Sequence, residues 1–165
     1  MAGYANNVTI EHNEIWDCPY TGIAVGWAGA SDTCTMGQNI IRNNHIYQVS
    51  KLLCGGAGIL VQEKQPGTHI LENHIHDIQL TQTAFGNKNS GICLDNNADG
   101  VTLEMNWMEK IMNDPIYNIE KKSTVQVTLI KNELWPRRFP EDHSRVVNNA
   151  GPKSEYQSIT KYLKL

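Results

Sequence analysis

With 165 residues, 40% hydrophobic and 19% charged, the chain can form one domain around a continuous core and is too apolar for a disordered tail. Its net charge is −3, with basic pairs only at Lys121-Lys122 and Arg137-Arg138, which argues against nucleic acid as a partner. No run is long and apolar enough to cross a membrane. Met1 to Asn7 has neither the basic nor the apolar region of a signal peptide, so the expectation is a cytosolic chain or a piece of a longer precursor.

From Asn7 onward one phrase recurs: apolar, two residues, Asn, one residue, apolar. It opens as Ile10-Glu11-His12-Asn13-Glu14-Ile15, and a short glycine-headed strand follows, Gly22-Ile23-Ala24-Val25. The second copy, Ile41 to Ile46 around Asn44, is followed by Gly58-Ile59-Leu60-Val61. The third, Ile70 to Ile75 around Asn73, is followed by Gly91-Ile92-Cys93-Leu94. The fourth, Leu103 to Met108 around Asn106, has the weaker follower Pro115 to Ile119, and the fifth runs from Leu129 to Leu134 around Asn132. The Asn spacing varies (31, 29, 33 and 26 residues) while the phrase does not, as in a solenoid with constant strands and variable loops. No long 3.6-residue apolar period competes with the strand-like alternation. Each coil therefore reads strand, Asn bend, strand, loop, strand, and stacking at about 4.8 Å places like residues in columns. Asn suits the bend for two reasons. It tolerates the left-handed conformation of a sharp turn, and its amide can hydrogen-bond the Asn of the next coil.

The repeat stops at Trp135-Pro136. Pro140-Glu141-Asp142 and Gly151 then mark the start and stop of a short helix, placed to cover the last coil and protect its open edge. The first phrase has no comparable cap, which predicts missing upstream coils or self-association through the N-terminal coil. The expected division is residues 1–136 for the coils and 137–165 for the cap and tail. Cys18, Cys34, Cys54 and Cys93 show no C-x-x-C spacing, so a cysteine zinc site is not expected and buried free thiols are.

These features resemble the C-terminal part of bacterial right-handed parallel β-helix repeat proteins found among glycoside hydrolases and polysaccharide lyases. The Asn phrases carry the architecture. Gly55-Gly56-Ala57-Gly58-Ile59, Gln65-Pro66-Gly67-Thr68 with Asn73-His74-Ile75-His76-Asp77-Ile78, Gly91 to Asp95, and Ala150 to Tyr156 carry the closer likeness. The resemblance implies an all-β, right-handed parallel β-helix of the pectin lyase-like kind, of about five coils with a short C-terminal helical cap. It further implies a carbohydrate-active domain, part of a glycoside hydrolase acting on a polysaccharide, in a secreted or periplasmic parent protein. In relatives an Asp tends to precede the double Gly, whereas this chain has Cys54 there. If that Asp is the relatives' catalytic acid, this chain lacks it, which favours a non-catalytic binding or structural β-helix. A polysaccharide lyase is the further alternative.

Hydrolysis of a glycosidic bond usually needs two carboxyl groups. Strand alternation turns Ile92 and Leu94 inward and Cys93 and Asp95 outward, with Gln62 and then Gly26 at the matching place in earlier coils. Asp95 and Glu63 are the candidate catalytic pair, with Trp27, Gln62, His76 and Asn96 as candidate substrate contacts. The bland reading of Asp95-Asn96-Asn97 is a polar turn exit, and of Asp77 a turn former. His76 falls in a column with Trp16, Tyr47, Glu109 and Trp135, a candidate binding strip. His74 falls in a column with Glu14, His45, Trp107 and Glu133. His45 and His74 alone lack a clear third ligand, so no metal or cofactor is assigned. Asp95, Asp99 and Glu104, with Lys64 or Lys88 as base, form the weaker lyase set. Gly55 to Gly58 precedes a strand rather than a helix and is a bend, not a phosphate loop.

Overall fold

The computed structural model describes residues 4–26, 36–82, 84, 88–118, 127–134 and 143–158. They form a parallel β-helix. The first strands of the coils are β1 (Thr9–Glu11), β4 (Ile40–Arg42), the end of β6 (Ala57–Leu71), the end of β8 (Ser90–Glu104) and β11 (Val127–Ile130). The second strands, β2 (Glu14–Trp16), β5 (His45–Tyr47), β7 (His74–Ile78), β9 (Trp107–Ile111) and β12 (Glu133–Leu134), make a separate five-stranded sheet. The third strands are β3 (Ile23–Val25), the beginnings of β6 and β8, and β10 (Ile116–Asn118). Strands β6 and β8 are long because each carries a third strand round a corner into the first strand of the next coil.

Every pairing is parallel and in the register that the repeat implies: Ile10, Ile41, Ile70, Leu103 and Leu129 form one inward column. Ile15, Ile46, Ile75 and Met108 form a second, and Ile23, Ile59, Ile92 and Ile116 a third. The middle members are fully buried and make one core cluster. At the last described coil Leu129 is 59% exposed.

The five Asn side chains form a continuous ladder. Asn13, Asn44, Asn73 and Asn106 each donate from Nδ2 to Oδ1 of the Asn in the next coil at 2.9 Å. Their backbone N–H groups donate to the same oxygen at 3.0–3.2 Å. The left-handed residue of the bend is not the ladder Asn but the one before it: His12, Asn43, Glu72, Met105 and Lys131 have φ between 43° and 56°. The division of labour is physical. The Asn must point inward to reach its neighbours, so the reversal is made one residue earlier. A second left-handed series, Asp17, Gln48, Asp77 and Lys110, follows the second strands, so Asp77 is the turn former expected of it.

Gly22, Gly58 and Gly91 stand at the start of the third strands, where that wall approaches the second. A Cβ on Gly58 would stand 2.5 Å from Cγ2 of Ile75 and 2.8 Å from the Gly91 carbonyl oxygen, and one on Gly91 would stand 2.8 Å from Sδ of Met108. Gly58→Ala is expected to cost about 1–3 kcal/mol by overpacking, read as a lower urea midpoint at unchanged slope. An unchanged midpoint would show that Ile75 moves aside freely.

The expected helix is present as α1 (His143–Asn149), ended by Gly151 at φ 92°. Its described contacts place it differently from the expectation. His143 packs edge-on against Trp107, Arg145 pairs with Glu72, and the Gly151 N–H donates to the Asn43 carbonyl. The helix thus runs along the Asn bends of successive coils rather than across the end of the last one. With Val146 its one buried residue, it has too little apolar surface to roof a coil.

Candidate functional site

The outer face of the third strands carries the candidate acid. Asp95 stands in register with Gln62, whose Nε2 donates to Oδ2 of Asp95 at 3.3 Å. Glu63, one residue past Gln62, takes the left-handed conformation (φ 60°) and begins a register shift, so that the next paired residues are Lys64 and Asp99. In the following coil the left-handed residue is Asn97, two past Asp95 instead of one past Gln62. The simple alternation that grouped Glu63 with Asp95 therefore ends at Gln62. Trp27 lies outside the described residues, as do the Asn96 side chain, Trp135 and Cys34.

Cys93 points outward as the alternation expects and is nevertheless buried. Ala57, Leu60 and Tyr117 pack round it in a second small cluster, leaving it 3% exposed. Burial, helped by the negative charge of Asp95, pushes its thiol up to about 12, so it is an inert packing group. The expectation of buried thiols holds only here among the described cysteines. All three are free, but Cys18 is half-buried and Cys54 exposed, because Cys54 sits on the turn before the double Gly.

Beside this cluster lies a cavity of about 250 Å³, lined by Gly55, Gly56, Lys88, Asn89, Ser90, Cys93, Asn113, Asp114 and Tyr117. That is just below the small-ligand range, which begins near about 300 Å³. Three coils build it from equivalent places, the turns that enter the third strands. Lys88 Nζ lies 5.4 Å from the centre of the Tyr117 ring. Asn89 is 2% exposed; its Nδ2 donates to the Ser50 carbonyl at 2.6 Å, which fixes the amide and leaves Oδ1 buried without a partner. Apart from Lys88, named only as a lyase base, these polar residues were not singled out by the sequence reasoning. The legible signal was Tyr117, which stacks on Cys93 in register.

On the second-strand sheet, the column of Trp16, Tyr47, His76 and Glu109 forms in the expected register. Tyr47 lies parallel to both Trp16 and His76, with ring centres 6.3 and 5.0 Å away. The Asp95 face and the His76 strip belong to different walls of the solenoid, so the candidate substrate contacts are not one site.

The fold and its ladder define a solenoid of parallel β-coils. The family model for the right handed beta helix region matches residues 1–134, and the chain belongs to that family. A solved glycoside hydrolase is similar over 96% of this chain, with a TM-score of 0.75 and 26% sequence identity. The chain spans 25% of that protein's length. The comparison with curated proteins gives no match.

Proposed function

We propose that this chain is the β-helix part of a glycoside hydrolase and that it binds a polysaccharide along the outer face of its third strands. The observation that carries the reading is the cavity beside Cys93, on the same wall as Asp95. It offers an aromatic ring (Tyr117), the small polar residue Ser90, and charged groups at Lys88 and Asp114. A sugar supplies the matching apolar ring face and hydroxyl donors. Likeness to a glycoside hydrolase supports the same class.

In this reading Asp95 is the acid and Glu63 its partner. Asp114 cannot take the second role. Extending the register of Tyr117 with Cys93 sets it level with Ser90, five residues before Asp95. At about 3.3 Å per residue that is roughly 16 Å, beyond the about 9.5 Å limit for an inverting pair. A parent protein exported to the periplasm or the cell exterior would meet such a substrate.

A reducing-sugar screen over neutral and acidic polysaccharides tests this. Wild type is expected to release sugar, and Asp95→Asn to lose at least about 100-fold in rate. Release that survives in Asp95→Asn would remove Asp95 from the chemistry. A second reading, binding without cleavage, is favoured by exposed Cys54. It precedes Gly55 at the cavity, where the family resemblance implies an acid. That reading expects no release by wild type but retention on a polysaccharide that Tyr117→Ala weakens. Neither release nor retention by folded protein would exclude both.

A further inference from the structure

The second-strand sheet brings together three imidazoles that lie in two different sequence columns. His45 of β5 and His74 of β7 are in register, and His76 lies two residues along β7. Their ring centres are 4.5–5.0 Å apart. One ligand nitrogen from each lies within 4.8 Å of the other two. A common diagonal governs the contacts between neighbouring coils. The Tyr47 hydroxyl donates to Glu14 Oε1 at 3.0 Å, His45 Nε2 meets His76 Nε2 at 2.8 Å, and His74 Nε2 meets Glu109 Oε1 at 3.2 Å.

We propose that His45, His74 and His76 bind one borderline divalent transition cation of the zinc class, with the Glu109 carboxylate at the fourth position. Two features support a cation over a mere ring stack. His76 Nδ1 is held by Asp77 Oδ2 at 2.6 Å, which directs Nε2 toward the other two rings, the carboxylate–imidazole support usual behind metal ligands. The carboxylate of Glu109 already faces the cluster.

The geometry needs a small adjustment. Bonds of about 2.0–2.1 Å at tetrahedral angles set ligand nitrogens about 3.3 Å apart, so the His45–His76 pair must open slightly. His45 and His74 lie within 2° of parallel and must turn about Cβ–Cγ to converge their lone pairs. His45 and His76 are only partly covered (side chains 26% and 19% exposed) and His74 is the buried anchor. The ion would clip three successive coils, on a wall other than the one assigned to carbohydrate, so this inference does not depend on that reading.

The test is calorimetric titration of chelator-stripped protein with zinc chloride at pH 7.5. One site per chain is expected, with three nitrogen ligands by X-ray absorption and no saturable binding of magnesium or calcium, which prefer oxygen ligands. His76→Gln should abolish binding, and Asp77→Asn, which keeps the left-handed turn, should weaken it about 10–100-fold. His69→Gln and Cys54→Ser, exposed residues off the cluster, should leave it unchanged. No binding by folded wild type, or binding that His76→Gln does not alter, would overturn the proposal.

Discussion

Asn73→Ala is expected to unfold the domain or to cost more than about 4 kcal/mol, a loss that few single substitutions reach. Asn73 is fully buried in the middle of the ladder. Its Oδ1 accepts from the Asn44 backbone N–H at 3.0 Å and from Asn44 Nδ2 at 2.9 Å. Its Nδ2 donates to Asn106 Oδ1 and to the Ile41 carbonyl, both at 2.9 Å. Truncation takes a partner from several buried groups in two other coils at once, and each buried group left unpaired costs about 1–3 kcal/mol. The first rung is the contrast. Asn13 is exposed, so Asn13→Ala should cost about 1 kcal/mol. Urea denaturation of the two variants decides the matter: similar losses would mean that the ladder is a row of ordinary turn contacts rather than a shared network.

The same ladder explains why so much of the fold was legible. A residue that must contact its own kind in the coils above and below has to recur at one place in the phrase, whatever the loop lengths. Asn13, Asn44, Asn73, Asn106 and Asn132 therefore mark the register, and the apolar residues at −3 and +2 follow into their columns. The bend conformation was less legible because the left-handed place is filled by His12, Asn43, Glu72, Met105 and Lys131. These share no chemistry and leave no pattern. The corner between third and first strands hid for a related reason. Its core is Gln65, fully buried and bonded to Asn39 Nδ2 and the Gln62 carbonyl, and nothing in the motif Gln65-Pro66-Gly67-Thr68 says that its amide points inward.

The candidate sites were legible only as far as the register extends. Asp95 opposite Gln62, and the two columns that pass through Glu109 and Trp107, follow from counting residues. The diagonal from His45 to His76 does not, because column counting treats His74 and His76 as members of separate rows. A long side chain can cross between rows in adjacent coils, and that crossing supplied the third imidazole. The cavity at Tyr117 was hidden differently: its walls are turns of unequal length, at Gly55, Asn89 and Asp114, which no fixed spacing relates.

The His74 imidazole should make the protein acid-sensitive well above the carboxylate range. In the unfolded chain it takes a proton near its ordinary value of about 6.5; in the folded chain it does so only at about 3. Its contribution to stability is thus complete above about pH 6.5 and declines as pH falls from there toward 3, because only the unfolded state gains the proton. The slope approaches about 1.4 kcal/mol per pH unit, so by pH 4.5 the loss is about 2–3 kcal/mol. Glu109 opposes this trend, since its carboxylate at 3.2 Å favours a charged ring. Burial, first, and the neighbouring imidazoles of His76, His45 and His143, which would become like charges, outweigh it. Lys110 and Asp77 pair with each other at 3.7 Å. Unfolding free energies at pH 7.5, 6.0 and 4.5, measured with chelator present, provide the check. His74→Gln can still donate toward Glu109 but cannot titrate, so its stability should fall by about 2–3 kcal/mol less over the same range. Parallel curves for the two proteins would place the acid sensitivity in other groups and remove the cost of burying a neutral imidazole. With zinc present the wild-type curve should steepen, since protons then compete with the ion for all three rings, while the His74→Gln curve should not.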